Sequence, residues 1–336
     1  MGVFISKCQR TGIQCFLHLW HFDPGKNFFS LNSQPLTHFT PMFPKSFCVC
    51  FIVVFLCVAT SYGAAPPEKL RALIVDGQNN HPWAEVTPVL KAILEKSGRF
   101  TADVATSPKQ GGDMSSFKPD FAKYDVVVMN YTGDDWPVET QQAFEKFVAE
   151  GGGLTIVHAA CTAFPNWKEY NLMTGLGGWN GRNEKSGPYV YWEDGKVIQR
   201  TGPGTGGYHG PEWEFLIEVR DEEHPITKGL PKAFRHCSDE LYDRLRGPAE
   251  NLTILATAYA DPEKKGTGRH EPQLMVIDYG KGRVFHITTG HTEQQCKSVS
   301  FIVPFERGTE WAATGKVTLP VPDDMPGVDK PVFREF

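Results

Sequence analysis

The chain has 336 residues, of which 40% are apolar and 22% are charged, a composition typical of ordered globular proteins and not of disordered or multi-span membrane proteins. Its formal net charge is −5, and its longest cluster of basic residues is the pair Lys264 and Lys265, so we expect no nucleic-acid partner. The length is sufficient for one large domain or two modest ones.

The first 63 residues differ from the remainder and are interpreted as a leader. They contain an unbroken apolar run at 48–59, which is too short to cross a bilayer as a helix. Lys45 precedes this run, and the small residues Ser61 and Gly63 follow it at the spacing of a cleavage site. This order is typical of a signal peptide, so we expect an exported protein, periplasmic or secreted, without stable membrane insertion after cleavage.

The domain boundaries follow from this leader. Met42 stands just before the basic residue, so the signal peptide is predicted to span 42–63, and residues 1–41 are interpreted as a mis-called start. The alternative is an uncleaved amino-terminal anchor, which would tether the same domain to a membrane. The domain itself is predicted to span 64–318, followed by an extended, proline-rich tail at 319–336.

The cysteines do not indicate a disulfide-stabilised fold. Five of the eight fall in the leader, which leaves Cys161, Cys237 and Cys296 in the domain. Three scattered thiols do not form a disulfide framework, and the chain contains no CxxC metal or redox motif. A single bridge remains open in an oxidising compartment.

From residue 70 onward, short apolar runs alternate with amphipathic stretches, as in parallel strands joined by crossover helices. Strands are predicted at 72–75, 102–105, 124–129, 154–157, 215–219, 252–256, 274–278 and 284–288. Helices are predicted from Thr87 and Pro88 to a stop at Gly98, at 138–150 and at 301–313. The glycine- and aromatic-rich region 166–210 is predicted to hold loops and short strands above the sheet. The pattern indicates an α/β domain with a mostly parallel sheet.

Polar residues follow several of these strands directly, at the sheet edge where open α/β folds bind ligands. They are, in chain order, His81, Asn130, Asp135, His158 and His291. Imidazoles and carboxylates that meet at one rim can perform acid–base chemistry near neutral pH or bind a divalent metal. No HExxH or HxH spacing supports a metal directly, and each histidine alone could equally be a hydrogen-bonded structural group.

The most distinctive stretch is HPITKGLP at 224–231, which is followed by Asp239, Glu240 and Tyr242. Its proline and glycine residues predict a turn, and a carboxylate after the turn could cap a helix. In the alternative interpretation, Glu240 and Tyr242 share a sugar-binding site.

Five motifs, taken in order, resemble those of the trehalose-utilisation (ThuA-like) family. They are GGGLTIVHAA with His158, YHG with His209, HPITKGLP with His224, DELY with Glu240 and GKGRVFHITTGHT with His291. The similarity covers roughly 71–315, and the combined order is specific although each motif alone is weak. The stretch 179–183 departs from the family pattern, in which a glycine pair often lies close to a histidine, because His209 comes much later here.

The resemblance implies a class I glutamine amidotransferase-like fold, which is a flavodoxin-like three-layer sandwich with a mostly parallel central sheet. It also implies a role in disaccharide or oxidised-sugar metabolism and a site that uses His158, His209, Glu240 and His291. The candidate catalytic residues are therefore His158, Glu240 and His291. The candidate substrate-binding residues are His81, Asn130, Asp135, His209, Asp239 and Tyr242.

Three functions remain open. The preferred hypothesis is a bacterial enzyme acting on a small-molecule sugar, in which His158 or His291 moves a proton and Glu240 orients or activates a hydroxyl or water. A divalent metal could serve as its cofactor. The first alternative is a carbohydrate-binding protein without turnover, whose aromatic side chains stack on sugar rings. The second is a divergent amidotransferase-like hydrolase using Cys161, His291 and Glu293, which is disfavoured because Cys161 does not lie at a tight, glycine-flanked strand-to-helix turn.

Overall fold

The computed structural model describes residues 68–336, and the predicted signal peptide at 42–63 and the residues before it lie outside this part. The strands are β1 (Leu70–Asp76), β2 (Phe100–Thr106), β3 (Val126–Met129), β4 (Gly153–Val157), β5 (Tyr189–Glu193), β6 (Lys196–Arg200), β7 (Tyr208–His209), β8 (Trp213–Val219), β9 (Ala233–Asp239), β10 (Tyr242–Asp243), β11 (Leu252–Tyr259), β12 (His270–Tyr279) and β13 (Gly282–Ile287). The helices are α1 (Trp83–Lys96), α2 (Val138–Ala149), α3 (Lys168–Thr174), α4 (Glu293–Cys296) and α5 (Val299–Thr314).

The main sheet has a parallel half and an antiparallel half. In the parallel half the strand order is β2-β1-β3-β4-β13, and every adjacent pair runs in the same direction. The strands β12, β11, β8 and β9 extend the sheet through antiparallel pairs, and β7 pairs with β10 in a separate two-stranded sheet. The order β2-β1-β3-β4 is that of a flavodoxin-like fold, so the predicted α/β three-layer architecture is confirmed.

Helices cover both faces of the parallel half, which explains why its strands are apolar on both sides. All four residues of β3 and all five residues of β4 are buried. On one face the strands pack against α1 and α5, through side chains such as Leu90 and Phe305. On the other face they pack against α2 and α3, through side chains such as Phe144 and Tyr170. This packing holds the carboxyl ends of the parallel strands at one common edge.

The first helix begins earlier than the sequence predicts. It starts at Trp83, whereas the sequence predicts a start at Thr87 and Pro88. Pro88 lies in the second turn and costs the helix one hydrogen bond because proline has no N–H. The early start means that the loop carrying His81 leads directly into α1.

The sequence does not predict β9, because Arg235 and His236 interrupt its apolar alternation. The structure places this strand at the edge of the sheet, paired with β8. Asp239 is its last residue, so this carboxylate ends a strand and does not cap a helix. Glu240 consequently lies in the short connection from β9 to β10.

After α5 the chain runs back along this helix. The backbone N–H groups of Thr318 and Leu319 donate to the Glu310 carboxylate, and Phe333 forms a bridge to Ser298 at the start of α5. The tail therefore packs on the domain that it follows.

Cys161, Cys237 and Cys296 are buried and free, so no bridge forms among these thiols. No helix between residues 68 and 336 combines the length and the apolar character needed to cross a membrane.

Candidate active site

The carboxyl ends of three parallel strands bring three histidines to one rim. His81 lies in the loop after β1, His158 directly follows β4, and His291 lies in the loop after β13. The connection from β9 to β10 adds Glu240, and β7 adds His209. We call these five residues the histidine–glutamate cluster.

Glu240 is the centre of the cluster. The Nε2 atom of His158 lies 3.5 Å from Glu240 Oε2, and the Nε2 atoms of His209 and His291 lie 3.5 Å and 3.7 Å from Glu240 Oε1. Glu240 is only 8% exposed, and its Oε2 accepts no hydrogen bond from any residue between 68 and 336. Burial pushes the pKa of Glu240 up, but the neighbouring imidazoles, His158 first, outweigh burial and hold the pKa below its usual value. The carboxylate is therefore charged at neutral pH.

His158 is held in one tautomer. Its backbone adopts φ +44°, in the left-handed region that non-glycine residues rarely occupy. The Nδ1 atom donates to the Thr288 carbonyl oxygen at 2.6 Å, which leaves Nε2 as an acceptor facing the cluster. The Tyr242 hydroxyl donates to this Nε2 at 2.9 Å. Burial raises the pKa of Tyr242 well above its usual value, so the hydroxyl keeps its proton.

His81 contributes a neutral imidazole. Its ring centroid lies 4.9 Å from that of His158 and 4.5 Å from that of His291. Burial, and after it these two histidines, lower the pKa of His81 to about 3. The Asn79 Oδ1 atom accepts from the His81 backbone N–H at 3.1 Å, and Asn130 Oδ1 accepts from Asn79 Nδ2 at 3.3 Å. The predicted substrate-binding residue Asn130 thus holds the loop that positions His81.

Asp239 supports the cluster from within the core. Its fully buried carboxylate accepts hydrogen bonds from the backbone N–H groups of Glu240 and Gly290, both at 2.8 Å. It also accepts from Nε2 of His236 at 2.8 Å, and Nδ1 of His236 bonds to Ser300 at 2.7 Å. Burial raises the pKa of Asp239, but the hydrogen bond and charge of His236 outweigh burial and lower it. The pair ties the β9–β10 connection to the loop after β13.

His291 is oriented by a carboxylate for which the sequence provides no signal. Its Nδ1 lies 2.9 Å from Glu212 Oε1, so Nδ1 carries the proton and Nε2 faces Glu240. Glu212 lies in an irregular segment just before β8, and only the tertiary fold brings it to the rim.

A cleft of about 770 Å³ opens beside the cluster. His81, His209, Glu240 and Tyr242 line it directly, and the buried His158 touches the last two of them. The remaining lining is rich in side-chain amides and includes two indole rings. The amides are those of Gln78, Asn79, Asn80, Gln110 and Asn180, and the indole rings are those of Trp83 and Trp179. Many hydrogen-bonding groups combined with flat aromatic rings suit a polyhydroxylated ligand.

Several other candidate residues lie outside the cleft. Asp135 is exposed, whereas its neighbour Asp134 lines the cleft. The loop after β3 has no periodic pattern, so the sequence does not indicate which of the two aspartates faces the cleft. Cys161 is fully buried, and burial raises the pKa of its thiol to about 12. Glu293 lies on α4, 3.6 Å from Lys297. The positions of Cys161 and Glu293 give the hydrolase alternative no support.

The HPITKGLP stretch forms a turn that is fastened to α5. The rings of His224 and Trp311 pack with centroids 5.0 Å apart. Arg307 donates to three carbonyl oxygens of the turn, those of Pro225, Ile226 and Lys228. This stretch therefore stabilises the fold and does not contribute to the cleft.

The strand order and the cluster at the carboxyl edge define a flavodoxin-like α/β protein with a ligand cleft where its parallel strands end. The family model ThuA, described as trehalose utilisation, matches residues 71–312, and the chain belongs to this family. The resemblance found in the sequence motifs is thereby confirmed.

Two solved structures are similar to the chain. A protein described as ThuA-like from Parabacteroides merdae ATCC 43184 is 49% identical with a TM-score of 0.78, over 80% of this chain and 98% of that one. Another from Bacteroides uniformis ATCC 8492 is 20% identical with a TM-score of 0.52, over 76% of this chain and 97% of that one, and shows the shared fold alone. No match is found among the curated proteins.

Proposed function

We propose that this chain is an exported bacterial enzyme that acts on a disaccharide or keto-sugar in the cleft at the carboxyl edge of the parallel strands. The observation that carries the proposal is the Glu240 carboxylate, which lines a polar cleft and faces the Nε2 atoms of three histidines. The description of the ThuA family as trehalose utilisation supports a sugar-related role.

The cleft fits a sugar in size and in chemistry. Its volume of about 770 Å³ lies within the roughly 300–1,000 Å³ that small-molecule sites usually have. The amides of Asn79, Asn80 and Asn180 can both donate to and accept from sugar hydroxyls. Trp83 and Trp179 offer flat faces on which a pyranose ring can stack.

Proton transfer is the chemistry that the cluster supports best. Glu240 is charged and lines the cleft, so it can accept a proton from a sugar hydroxyl or a water. The Nε2 atom of His158 lies 3.5 Å from Glu240 Oε2 and can share that proton. Glu212 orients His291, whose Nε2 atom lies 3.7 Å from the other oxygen of this carboxylate, Glu240 Oε1.

The test is an activity screen on glucosides and their keto forms with the His158→Ala variant. We expect turnover to fall by about 100-fold or more, as when a general base is removed, with a small loss of sugar affinity. His270→Ala is the matched control, because His270 on β12 contacts Glu218 and Arg220 outside the cleft. Turnover that survives His158→Ala would contradict the site, and sugar binding without any turnover would favour a carbohydrate-binding protein.

Export is a separate part of the proposal with its own test. The motif order at 42–63 supports cleavage after Gly63. Amino-terminal sequencing of the mature protein should therefore begin at Ala64. An intact leader on a membrane-associated protein would support the uncleaved anchor instead.

A further inference from the structure

We propose that the histidine–glutamate cluster binds one divalent transition-metal cation of the zinc or iron type, with His81, His158 and Glu240 as ligands. Each of these residues offers a ligand atom, and the three atoms lie within 4.8 Å of one another. The role of such a cation in turnover rests on the proposed function, whereas its binding can be tested alone.

The first argument comes from the tautomers of the histidines. In His158, His209 and His291, the Nδ1 atom lies 2.6, 2.8 and 2.9 Å from a carbonyl or carboxylate oxygen. Such oxygens only accept hydrogen bonds, so each Nδ1 carries a proton and, in the neutral ring, Nε2 has a lone pair. All three Nε2 atoms lie within 3.7 Å of a Glu240 carboxylate oxygen, and that of His158 also accepts from the Tyr242 hydroxyl.

The second argument is that the Glu240 carboxylate has imidazole nitrogens around it but lacks a hydrogen-bond donor at one oxygen. Distances of 3.5 to 3.7 Å separate the Nε2 atoms of His158, His209 and His291 from its two oxygens. Glu240 Oε2, on a side chain that is only 8% exposed, receives no hydrogen bond within the described part of the chain. A buried polar atom without a partner is costly. A cation held by His81, His158 and Glu240 would give this carboxylate the partner that Oε2 lacks.

The geometry is close to that of a metal centre. With zinc–ligand bonds of about 2.0–2.1 Å, neighbouring ligand atoms of a tetrahedral site lie roughly 3.3 Å apart. His158 Nε2 and Glu240 Oε2 are already 3.5 Å apart. Small side-chain movements would therefore bring both atoms to bonding distance of one ion.

The donor types select the class of cation. Two imidazoles and one carboxylate are typical ligands of zinc and of non-haem iron, whereas magnesium and calcium prefer sites made of oxygen atoms. The Thr288 carbonyl oxygen that holds Nδ1 of His158 matches the outer-shell partners that orient metal-bound histidines. When bound, such a cation would polarise a sugar hydroxyl or water in the cleft.

Tyr242 provides a variant that separates a metal site from a hydrogen-bonded one. Its hydroxyl donates to His158 Nε2 at 2.9 Å, and cation binding would replace this bond. Tyr242→Phe removes the competing donor. We therefore expect this variant to bind the cation at least as tightly as the native protein.

The experiment is calorimetric titration of Zn²⁺ into purified protein that has been treated with a chelator and dialysed. We expect one equivalent per chain, bound in the presence of excess Mg²⁺. His158→Ala and Glu240→Gln should each weaken binding by more than about 100-fold, beyond the roughly 10–100-fold effect of an outer-shell change. His270→Ala should bind as the native protein does.

Thermal unfolding shows whether each variant is folded. Zn²⁺ should raise the Tm of the native protein and leave the Tm of a folded Glu240→Gln variant unchanged. The absence of stoichiometric Zn²⁺ binding, or equal binding by native protein, His158→Ala and Glu240→Gln, would overturn the proposal. Zn²⁺ binding without turnover of any sugar would retain the metal site and reject the proposed function. Turnover of a sugar by a protein that binds no Zn²⁺ would retain the proposed function and reject the metal site.

Discussion

Buried charge is handled in opposite ways at two places in this molecule. In the α5 clasp, which we define as Arg307, Glu310 and their partners, the charges are paired. Glu310 accepts from Arg99 Nε at 2.9 Å and from the backbone N–H groups of Thr318 and Leu319 at 2.7 Å and 3.1 Å. Arg307 donates to four backbone carbonyl oxygens. In the histidine–glutamate cluster, Glu240 instead faces lone pairs, and its Oε2 accepts from none of the described residues.

The difference separates a buried charge that serves the fold from one that we propose serves a ligand. A buried ion that has donors on every side is part of the packing, and removing it leaves its partners unsatisfied. A buried carboxylate surrounded by acceptors gains its missing partner only from something that enters the cleft. The two places should therefore lose very different amounts of stability when their carboxylates are neutralised.

Breaking the α5 clasp should have the largest effect on stability. Glu310→Ala removes a fully buried carboxylate and leaves Arg99 and two backbone N–H groups without their acceptor. We expect a loss of about 3–5 kcal/mol in the free energy of unfolding, measured by chemical denaturation. Glu139→Ala is the control, because its ion pair with Lys118 is solvent-exposed and should contribute little to stability. A loss below about 1 kcal/mol for Glu310→Ala would contradict the role of the clasp.

Neutralising Glu240 should cost far less stability. Glu240→Gln removes a carboxylate whose Oε2 accepts from no described residue, and it introduces an amide N–H₂ that can donate to the histidine nitrogens. We expect the free energy of unfolding to change by less than about 1 kcal/mol, while turnover falls about 100-fold. Denaturation and activity assays on the same preparation measure both. Destabilisation similar to that of Glu310→Ala would mean that the cluster is structural.

The sequence predicts the parallel half of the sheet well, because its buried strands are continuous apolar runs. That pattern is sufficient to place His81, His158 and His291 at one edge. The sequence does not predict β9, whose alternation is interrupted by His236, so the position of Glu240 relative to the histidines follows only from the fold.

The electrostatic character of the site is harder to predict from sequence. The tautomers depend on backbone carbonyl oxygens, such as that of Thr288, which have no signature in the amino-acid types. Glu212 comes close to His291 only through tertiary structure, and the choice between Asp134 and Asp135 depends on the path of one loop. The amino-acid types therefore indicate which residues are candidates for the site. The path of the backbone in the folded chain determines which of them face the cleft and which nitrogen of each histidine carries the proton.

A smaller effect is expected at the edge of the cluster. Glu212→Gln keeps an acceptor for His291 Nδ1 but removes the negative charge. Turnover should fall about 10-fold, the lower end of the effect of outer-shell changes. Stability should change by less than about 0.5 kcal/mol, because the Glu212 side chain is 42% exposed. Glu214→Gln, two residues away and exposed, should change neither quantity. Equal turnover in both variants would show that the charge of Glu212 does not act on His291.

An effect that depends on pH is expected at Glu306, a carboxylate beside the α5 clasp. Burial raises the pKa of Glu306 to about 7, although Arg334 and Arg307 oppose this shift and Asp324 and Glu310 add to it. The unfolded chain has an ordinary glutamate pKa of about 4.3. Between these two values the folded protein holds a proton that the unfolded chain has released, so this residue's contribution to stability falls as the pH rises from about 4.3 to 7.

Glu306→Gln removes this titration and keeps the shape of the side chain. The variant should match the stability of the native protein near pH 4 and exceed it by on the order of 1 kcal/mol at pH 8. Thermal unfolding of both proteins across this pH range measures the difference in their stability. The pH dependence of all other groups is common to both proteins and cancels in this difference. If the difference is the same at both ends of the range, the pKa of Glu306 is the same in the folded and unfolded states. In that case Arg334 and Arg307 offset the effect of burial fully, and Glu306 belongs with the paired charges of the clasp.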